Sequence, residues 1–202
     1  LNTSTHIIGK ALGRVLATAL LLSTFALQPA LAGRLADAAT EAERLAQDGK
    51  AKEAFETIRK AFGDFSATLP FTVGEASFVS EKPTAYGAYT PRENSVFTAG
   101  EPLITYVELI GLAWKTLDDG RFQSHFTVDL EVLDARGDRL ALQEGFGNFT
   151  FTGRVRNQEL YTHLTLDLSG ASPGEYTLRY TLKDTTTGST AVVQQPFTLK
   201  AP

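Results

Sequence analysis

Three histidines are the first candidates for chemistry in this chain: His6, His125 and His163. His125 has Asp129 four residues on and His163 has Asp167 four residues on, but both segments alternate like strands. At about 3.3 Å per strand residue each pair is about 13 Å apart, too far for a local His–Asp dyad. A cross-strand site remains open, in which His125 meets the acid of the other strand, or both histidines join Glu131 around a metal ion. No G-x-S-x-G elbow and no H-E-x-x-H occurs. Ser169-Gly170 and Ser172 belong to a turn, and Gly145-Phe146-Gly147-Asn148 leads into a strand where a phosphate loop would lead into a helix. Its glycines suit a bulge or a strand bend. Asp118 and Asp119 sit at an expected hairpin tip, where water keeps both carboxylates ionised. The residues therefore point away from catalysis, and no cofactor is expected.

The binding candidates are aromatic. Trp114, Tyr86, Tyr89 and Phe146 could form a platform for sugar rings, although the single Trp of a sandwich is more often a core residue. Asp134 and Asp138 flank a tight turn that could approach calcium, but the dense ligand spacing of a calcium loop is missing. Arg136-Gly137-Asp138 spells an adhesion tripeptide that turn chemistry already explains. Asn148-Phe149-Thr150 is a glycosylation sequon only in a host that glycosylates.

Composition narrows the classes further. The chain has 202 residues and lacks Cys and Met, so disulfides, zinc ribbons, iron–sulfur clusters and thiol nucleophiles are excluded from it. Leu1 in place of an initiator Met reads as a non-AUG start or the edge of a fragment. Lys10 and Arg14 precede an apolar run from Val15 to Leu27, and Gln28-Pro29 breaks it before Ala30-Leu31-Ala32. This is the order of a cleavable secretory signal peptide, and the run is too short to span a bilayer. The expected products are residues 1–32 as signal peptide and 33–202 as the mature, periplasmic or secreted chain, without stable membrane insertion. Loss of Lys10 and Arg14 moves the net charge from −4 to −6. That sign, with no basic tract, argues against nucleic acid as a partner.

Residues 33–65 repeat apolar positions at three and four, from Leu35, Ala38, Ala42 and Leu45 to Ala54, Ile58 and Ala61. The spacing predicts two short helices joined at Gly49. The second resembles part of one tetratricopeptide unit, which cannot bury its own face alone, so the hairpin is expected to pack on the next domain or on another subunit. Residues 66–75 read as a linker. Residues 76–202 then read as short strands, at Ala76–Ser80, Ser95–Thr98, Pro102–Trp114, Phe122–Asp134, Arg139–Gln143, Phe149–Val155, Leu160–Leu168, Tyr176–Lys183 and Ala191–Leu199. Phe122, Ser124, Phe126, Val128, Leu130 and Val132 share one face of their strand, with His125, Asp129 and Glu131 on the other, as antiparallel sheets with one wet face allow.

Pro173-Gly174-Glu175-Tyr176 delivers a tyrosine at the start of a two-period strand. It resembles the tyrosine corner of immunoglobulin-like sandwiches, giving Tyr176, Pro173 and Gly174 structural roles. Leu178 stands where an antibody-type domain has its second Cys. With Tyr86-Gly87-Ala88-Tyr89, Phe97 to Glu108 and Leu133 to Gly137, this run is similar to a family of exported bacterial proteins without an assigned activity. The resemblance covers about residues 75–200 and implies a mainly β chain, with an immunoglobulin-like antiparallel β-sandwich after the signal peptide and the helical hairpin. The expected function is a non-catalytic interaction or assembly module of the cell envelope, with another envelope protein as partner. Recognition is expected through the Tyr86–Asn94 loop or a sheet edge marked by Pro196. A carbohydrate-binding module and a metal-dependent or hydrolase-type enzyme with a cross-strand His/acid site are the alternatives.

Overall fold

A computed structural model describes residues 33–201. The segment expected to be a signal peptide, residues 1–32, and His6 with it, lies outside the described residues. Two helices come first, α1 (Arg34–Gln47) and α2 (Ala51–Ser66), turning at Gly49, whose φ of 75° suits glycine. They pack through small residues, with Ala42 and Ala54 buried. Ala67 to Phe71 then leads into nine strands: β1 (Thr72–Val79), β2 (Val96–Thr98), β3 (Leu103–Ile110), β4 (Lys115–Thr116), β5 (Phe122–Asp134), β6 (Arg139–Gly153), β7 (Leu160–Leu166), β8 (Gly174–Asp184) and β9 (Thr190–Lys200).

The strands form two sheets. One has the order β1-β3-β7 and is antiparallel throughout. The other runs β2-β9-β8-β5, with β4 and β6 both paired to β5. Residue parity decides what each sheet buries. Leu103, Val107 and Leu109 of β3 share one apolar core with Phe126 and Val128 of β5 and Leu178 and Leu182 of β8. Each such side chain contributes about 1.5–3 kcal/mol when removed from water, and here this burial does the work that an inter-sheet disulfide does elsewhere.

Several features differ from the sequence expectation. The stretch read as linker contains the start of β1, where Gly74 lies so close to Ile110 that a Cβ would stand 3.0 Å from its side chain. β3 stops at Ile110, because Gly111 takes a φ of 72° and turns the chain. Arg139–Gln143 and most of Phe149–Val155 fall in a single strand, β6, which ends at Gly153 and bends through a bulge where Gly145 has a φ of 63° and its N–H donates to Asp129 Oδ1 at 2.7 Å. Finally, β2 joins β9 in parallel, an exception to the antiparallel expectation.

Local ties secure the joints. Tyr176 Oη donates to the Ser172 carbonyl at 2.6 Å and its ring stacks on Phe197 at 5.4 Å, so the Pro173-Gly174 turn is pinned to the strand it starts. Asp184, fully buried, accepts from the backbone N–H groups of Ala113 at 3.0 Å, Thr186 at 2.7 Å and Thr187 at 3.4 Å. Behind β3 a polar pair crosses the core: Thr105 Oγ1 donates to Gln195 Oε1 at 3.0 Å, and Gln195 Nε2 donates to the Ala76 carbonyl at 3.2 Å. Tyr180 Oη is buried without a hydrogen-bond partner. Burial pushes its phenol pKa up to about 12. The hairpin is tied to the sheets by an ion pair between Asp64 and Arg156, and the Arg156 guanidinium lies 5.8 Å from the Phe122 ring.

Three outcomes follow for unfolding in urea. Gly111→Ala should cost at least about 2 kcal/mol, because the φ is strained for alanine and its Cβ would stand 2.7 Å from the Leu69 carbonyl oxygen and closer still to that of Pro70. A Gly111→Ala protein as stable as wild type would contradict this close approach. Tyr180→Phe should be neutral within about 1 kcal/mol, as it removes an unpartnered hydroxyl, whereas Gln195→Leu should cost about 1–3 kcal/mol by stranding two partners. Lys60 and Arg156 hold the Asp64 pKa down to about 2, so the clamp is complete above the unfolded carboxylate value near 4 and is lost as pH falls through about 2. Asp64 is 45% exposed, which limits the effect to about 1 kcal/mol or less, read from the acid limb of the stability profile and its absence in Asp64→Asn.

Candidate functional site

The six-stranded sheet ends on β6. This strand hydrogen-bonds to β5 along one edge, from the Leu133–Arg139 pair to the Phe122–Gly153 pair, and no described strand pairs with its other edge. Residues alternate along it, and Leu140 and Leu142 stand on the outer, wet face with 57% and 45% of their surface exposed. Beside them Glu131 accepts from Arg139 at 3.2 Å and Arg179 at 3.4 Å. A long strand edge offers a row of free backbone donors and acceptors, and natural edges are commonly blunted by charge or proline. Here two leucines occupy that position, and backbone pairing plus alternate side-chain contacts is what such an edge can do chemically. Pro196, read as the edge marker, lies in β9 opposite Thr177 of β8, just before the residues 198–200 that β2 covers.

The four aromatic candidates do not form one platform. Trp114 and Phe146 pack against the main core, and Phe146 stacks on Tyr180 at 6.2 Å. Tyr86 and Tyr89 lie elsewhere, on the outer face of the three-stranded sheet. There the loop after β1 covers Tyr106, which is fully buried. Tyr89 stacks on Tyr106 at 4.1 Å and Tyr161 follows at 5.6 Å. Tyr106 Oη donates to Glu108 Oε1 at 2.7 Å and accepts from the Gly87 N–H at 2.9 Å. Tyr86 also faces Glu108 and is 39% exposed. Burial first and the Glu108 carboxylate second raise the pKa of Tyr86, and burial raises those of Tyr89 and Tyr106. The sequence reading missed Tyr106, Glu108 and Tyr161. The two-period spacing of Tyr106 and Glu108 on β3 carried the signal, because it places both on one face.

The histidines are separated by the fold. His125 is on β5 and His163 on β7, so they belong to different sheets, and Glu131 is held by its two arginines. The cross-strand His/acid and His₂Glu metal sites are therefore not assembled. Among the described residues no group of three His, Asp or Glu side chains is placed to hold a metal. His125 instead meets Asn148 Oδ1 through Nε2 at 2.8 Å and Thr185 Oγ1 through Nδ1 at 2.9 Å. A hydroxyl–imidazole–amide row could relay a proton, but stabilising an oxyanion needs free donors. The N–H groups from Thr185 to Ser189 are all engaged, by the carbonyls of His125 and Asp184, by Asp184 Oδ1 and by Thr187 Oγ1. The row thus serves to fasten the 185–189 turn to β5 and β6. His163 is half-buried, and burial and then Lys82 lower its pKa.

The Asp134–Asp138 turn is closed by its own cation. Arg136 pairs with Asp134 at 3.1 Å and with Asp138 at 3.2 Å, and Asp134 Oδ1 accepts from the Arg136 and Asp138 N–H groups. The guanidinium occupies the place a calcium ion would need. The same contacts fold the Arg136-Gly137-Asp138 tripeptide back on itself.

No protein-family model and no curated protein matches the chain. Among solved structures, a Niemann-Pick type C2 protein from the Japanese carpenter ant is similar at 8% identity and a TM-score of 0.41, over 65% of this chain and 94% of that one. A family 123 glycoside hydrolase from Clostridium perfringens gives 10% identity and 0.38, over 63% of this chain and 27% of that one. The sporulation control protein Spo0M of Bacillus subtilis gives 11% and 0.35, over 66% and 51%. Such likeness carries no functional argument, and the geometry of this chain has to supply one.

The tyrosine cluster generates a pH test. Its phenols have raised values in the folded state, so their stabilisation is present below pH about 10, where unfolded phenols begin to ionise, and is lost as pH rises through the folded values. Glu108→Gln removes a neighbouring negative charge and should move the Tyr86 phenol toward lower pH in an absorbance titration. An unchanged titration curve would mean that Glu108 does not face Tyr86.

Proposed function

We propose that this chain is an exported, non-catalytic interaction module of the cell envelope, an immunoglobulin-like sandwich that binds another envelope protein by accepting a strand at the open edge of β6. The observation that carries this reading is that edge itself: 15 residues long, paired on one side only, with Leu140 and Leu142 exposed beside it. An incoming strand would complete the backbone pairing and cover both leucines, which supplies affinity and side-chain selectivity together. The Tyr176 to Ser172 bond supports the immunoglobulin-like part, since the phenol ties the turn to its own strand as a tyrosine corner does. Export rests on the charged, apolar and Ala-x-Ala order of residues 1–32.

Carbohydrate binding keeps one supporting observation, the exposure of Tyr86 beside Glu108 above the stacked Tyr89. Trp114 no longer belongs to that reading, because it packs against the core.

Capture from intact envelopes separates the two. The full chain should retain a specific envelope protein that Leu140→Lys with Leu142→Lys no longer retains, while Tyr86→Ala retains it fully. Recovery of nothing above background, or equal recovery by the double lysine variant, would sink the edge reading. Retardation by a soluble polysaccharide that is abolished in Tyr86→Ala would favour the carbohydrate reading instead.

A further inference from the structure

Where the hairpin meets the sheets, a cleft of about 360 Å³ opens between α2 and the segment that follows β6, at the far end of β6 from Leu140 and Leu142. Arg59 and Lys60 line it from α2, Arg154 and Arg156 line it from the facing segment, and Phe122 at the start of β5 adds an aromatic surface. These four cations differ in what they answer. Lys60 pairs with Asp64 at 2.8 Å, and Arg156 pairs with the same carboxylate while its guanidinium lies 5.8 Å from the Phe122 ring. Asp64 stands in the last turn of α2, whose free carbonyls also favour positive charge, so both cations have work in the fold. Arg59 and Arg154 have none. Among the described residues neither makes an ion pair or a side-chain hydrogen bond, and Glu56, the carboxylate in the lining, is likewise unpaired. Four cations therefore stand against two carboxylates, in a chain whose net charge is −4. The apolar part of the lining, Phe122 and Val155, reduces the screening of that excess and focuses it into the opening.

We propose that this cleft binds a compact dianion, a phosphate monoester on a small organic molecule, with Arg59 and Arg154 holding the phosphate and Phe122 lying against the organic part. Charge sets the class, because an excess of two cations is what a monoester of charge about −1.5 to −2 neutralises at neutral pH. Geometry sets the group. A carboxylate offers two oxygens in one plane and is satisfied by a single guanidinium fork, whereas phosphoryl oxygens spread in three directions and accept from forks on two walls. A long polyanion is disfavoured, since beyond the cleft it would lie along a chain of net negative charge. The volume suits a ligand no larger than an aromatic or sugar monoester. Arg156, already fixed by Asp64 and the Phe122 ring, adds a positive field that needs no ordering when the ligand arrives.

Calorimetric titration of the full chain with phenyl phosphate should show one site per chain with a Kd of about 0.1–1 mM at low salt, as an open cleft and a ligand of this size allow, weakening as salt is added. Inorganic phosphate should bind more weakly, and benzoate, a monoanion with the same ring, should not bind measurably. Arg59→Gln and Arg154→Gln should each weaken phenyl phosphate about 5- to 10-fold and together abolish its binding. Their urea midpoints should stay unchanged, because neither guanidinium has a partner to lose. Phe122→Leu should bring phenyl phosphate down to the level of inorganic phosphate, while Lys52→Gln, a charge change on α2 outside the cleft, should bind as the wild-type chain does. No binding of phenyl phosphate up to about 10 mM, binding indifferent to the double glutamine variant, or benzoate bound as tightly would each overturn the proposal. The double lysine variant of Leu140 and Leu142 should bind phenyl phosphate normally, so failure of the cleft and failure of the β6 edge are read separately.

Discussion

Two sheets that each have one apolar face must bury those faces against each other, and in this chain nothing covalent helps them do it. The contact between β3 and β7 on one side and β5, β8 and β9 on the other is the constraint from which the remaining structure follows. Leu178 is fully buried on β8, and it is matched by Leu182 and Phe126. Close packing makes such a core intolerant of gaps, so the polar groups that enter it arrive already paired: Thr105 with Gln195, and Asp184 with three backbone N–H groups. Tyr180 is the exception, and its hydroxyl has no assigned work in the fold.

What the core does not reach is where binding can occur. The core consumes the inner faces and leaves an edge on β6, a tyrosine-lined outer face on β3, and a helical hairpin attached mainly through Arg156, Asp64 and the close approach at Gly63. These three regions differ in kind. The tyrosine face is largely satisfied internally, since Glu108, Gly87 and Tyr106 use one another. The β6 edge and the hairpin keep unpartnered groups, one of them backbone and the other cationic.

Much of the architecture was legible in residue patterns. The two-period rows of β5, β7 and β8 show which residues face inward, because a strand turns its side chains by half a revolution per residue and only one face is apolar. The helices were equally readable at three and four. The candidate sites were read less well. Trp114 and Phe146 looked available because an aromatic residue next to glycines or at a strand end carries no mark of which way it faces. His125 and His163 looked combinable because sequence does not say which strands become neighbours.

The sequence by itself determined the chain's periodicities, its turns, its lack of thiol chemistry and the phenol that pins Pro173-Gly174, since each of these depends on residues within a few positions of one another. Tertiary structure alone decided that the two histidines belong to different sheets, that Arg136 fills its own turn, that Tyr106 is roofed by Tyr89, and that β6 is left with a free edge beside Leu140 and Leu142. Those outcomes depend on pairings between residues tens of positions apart, and the order of strands in a sheet is settled by how all the apolar faces close at once rather than by any one segment.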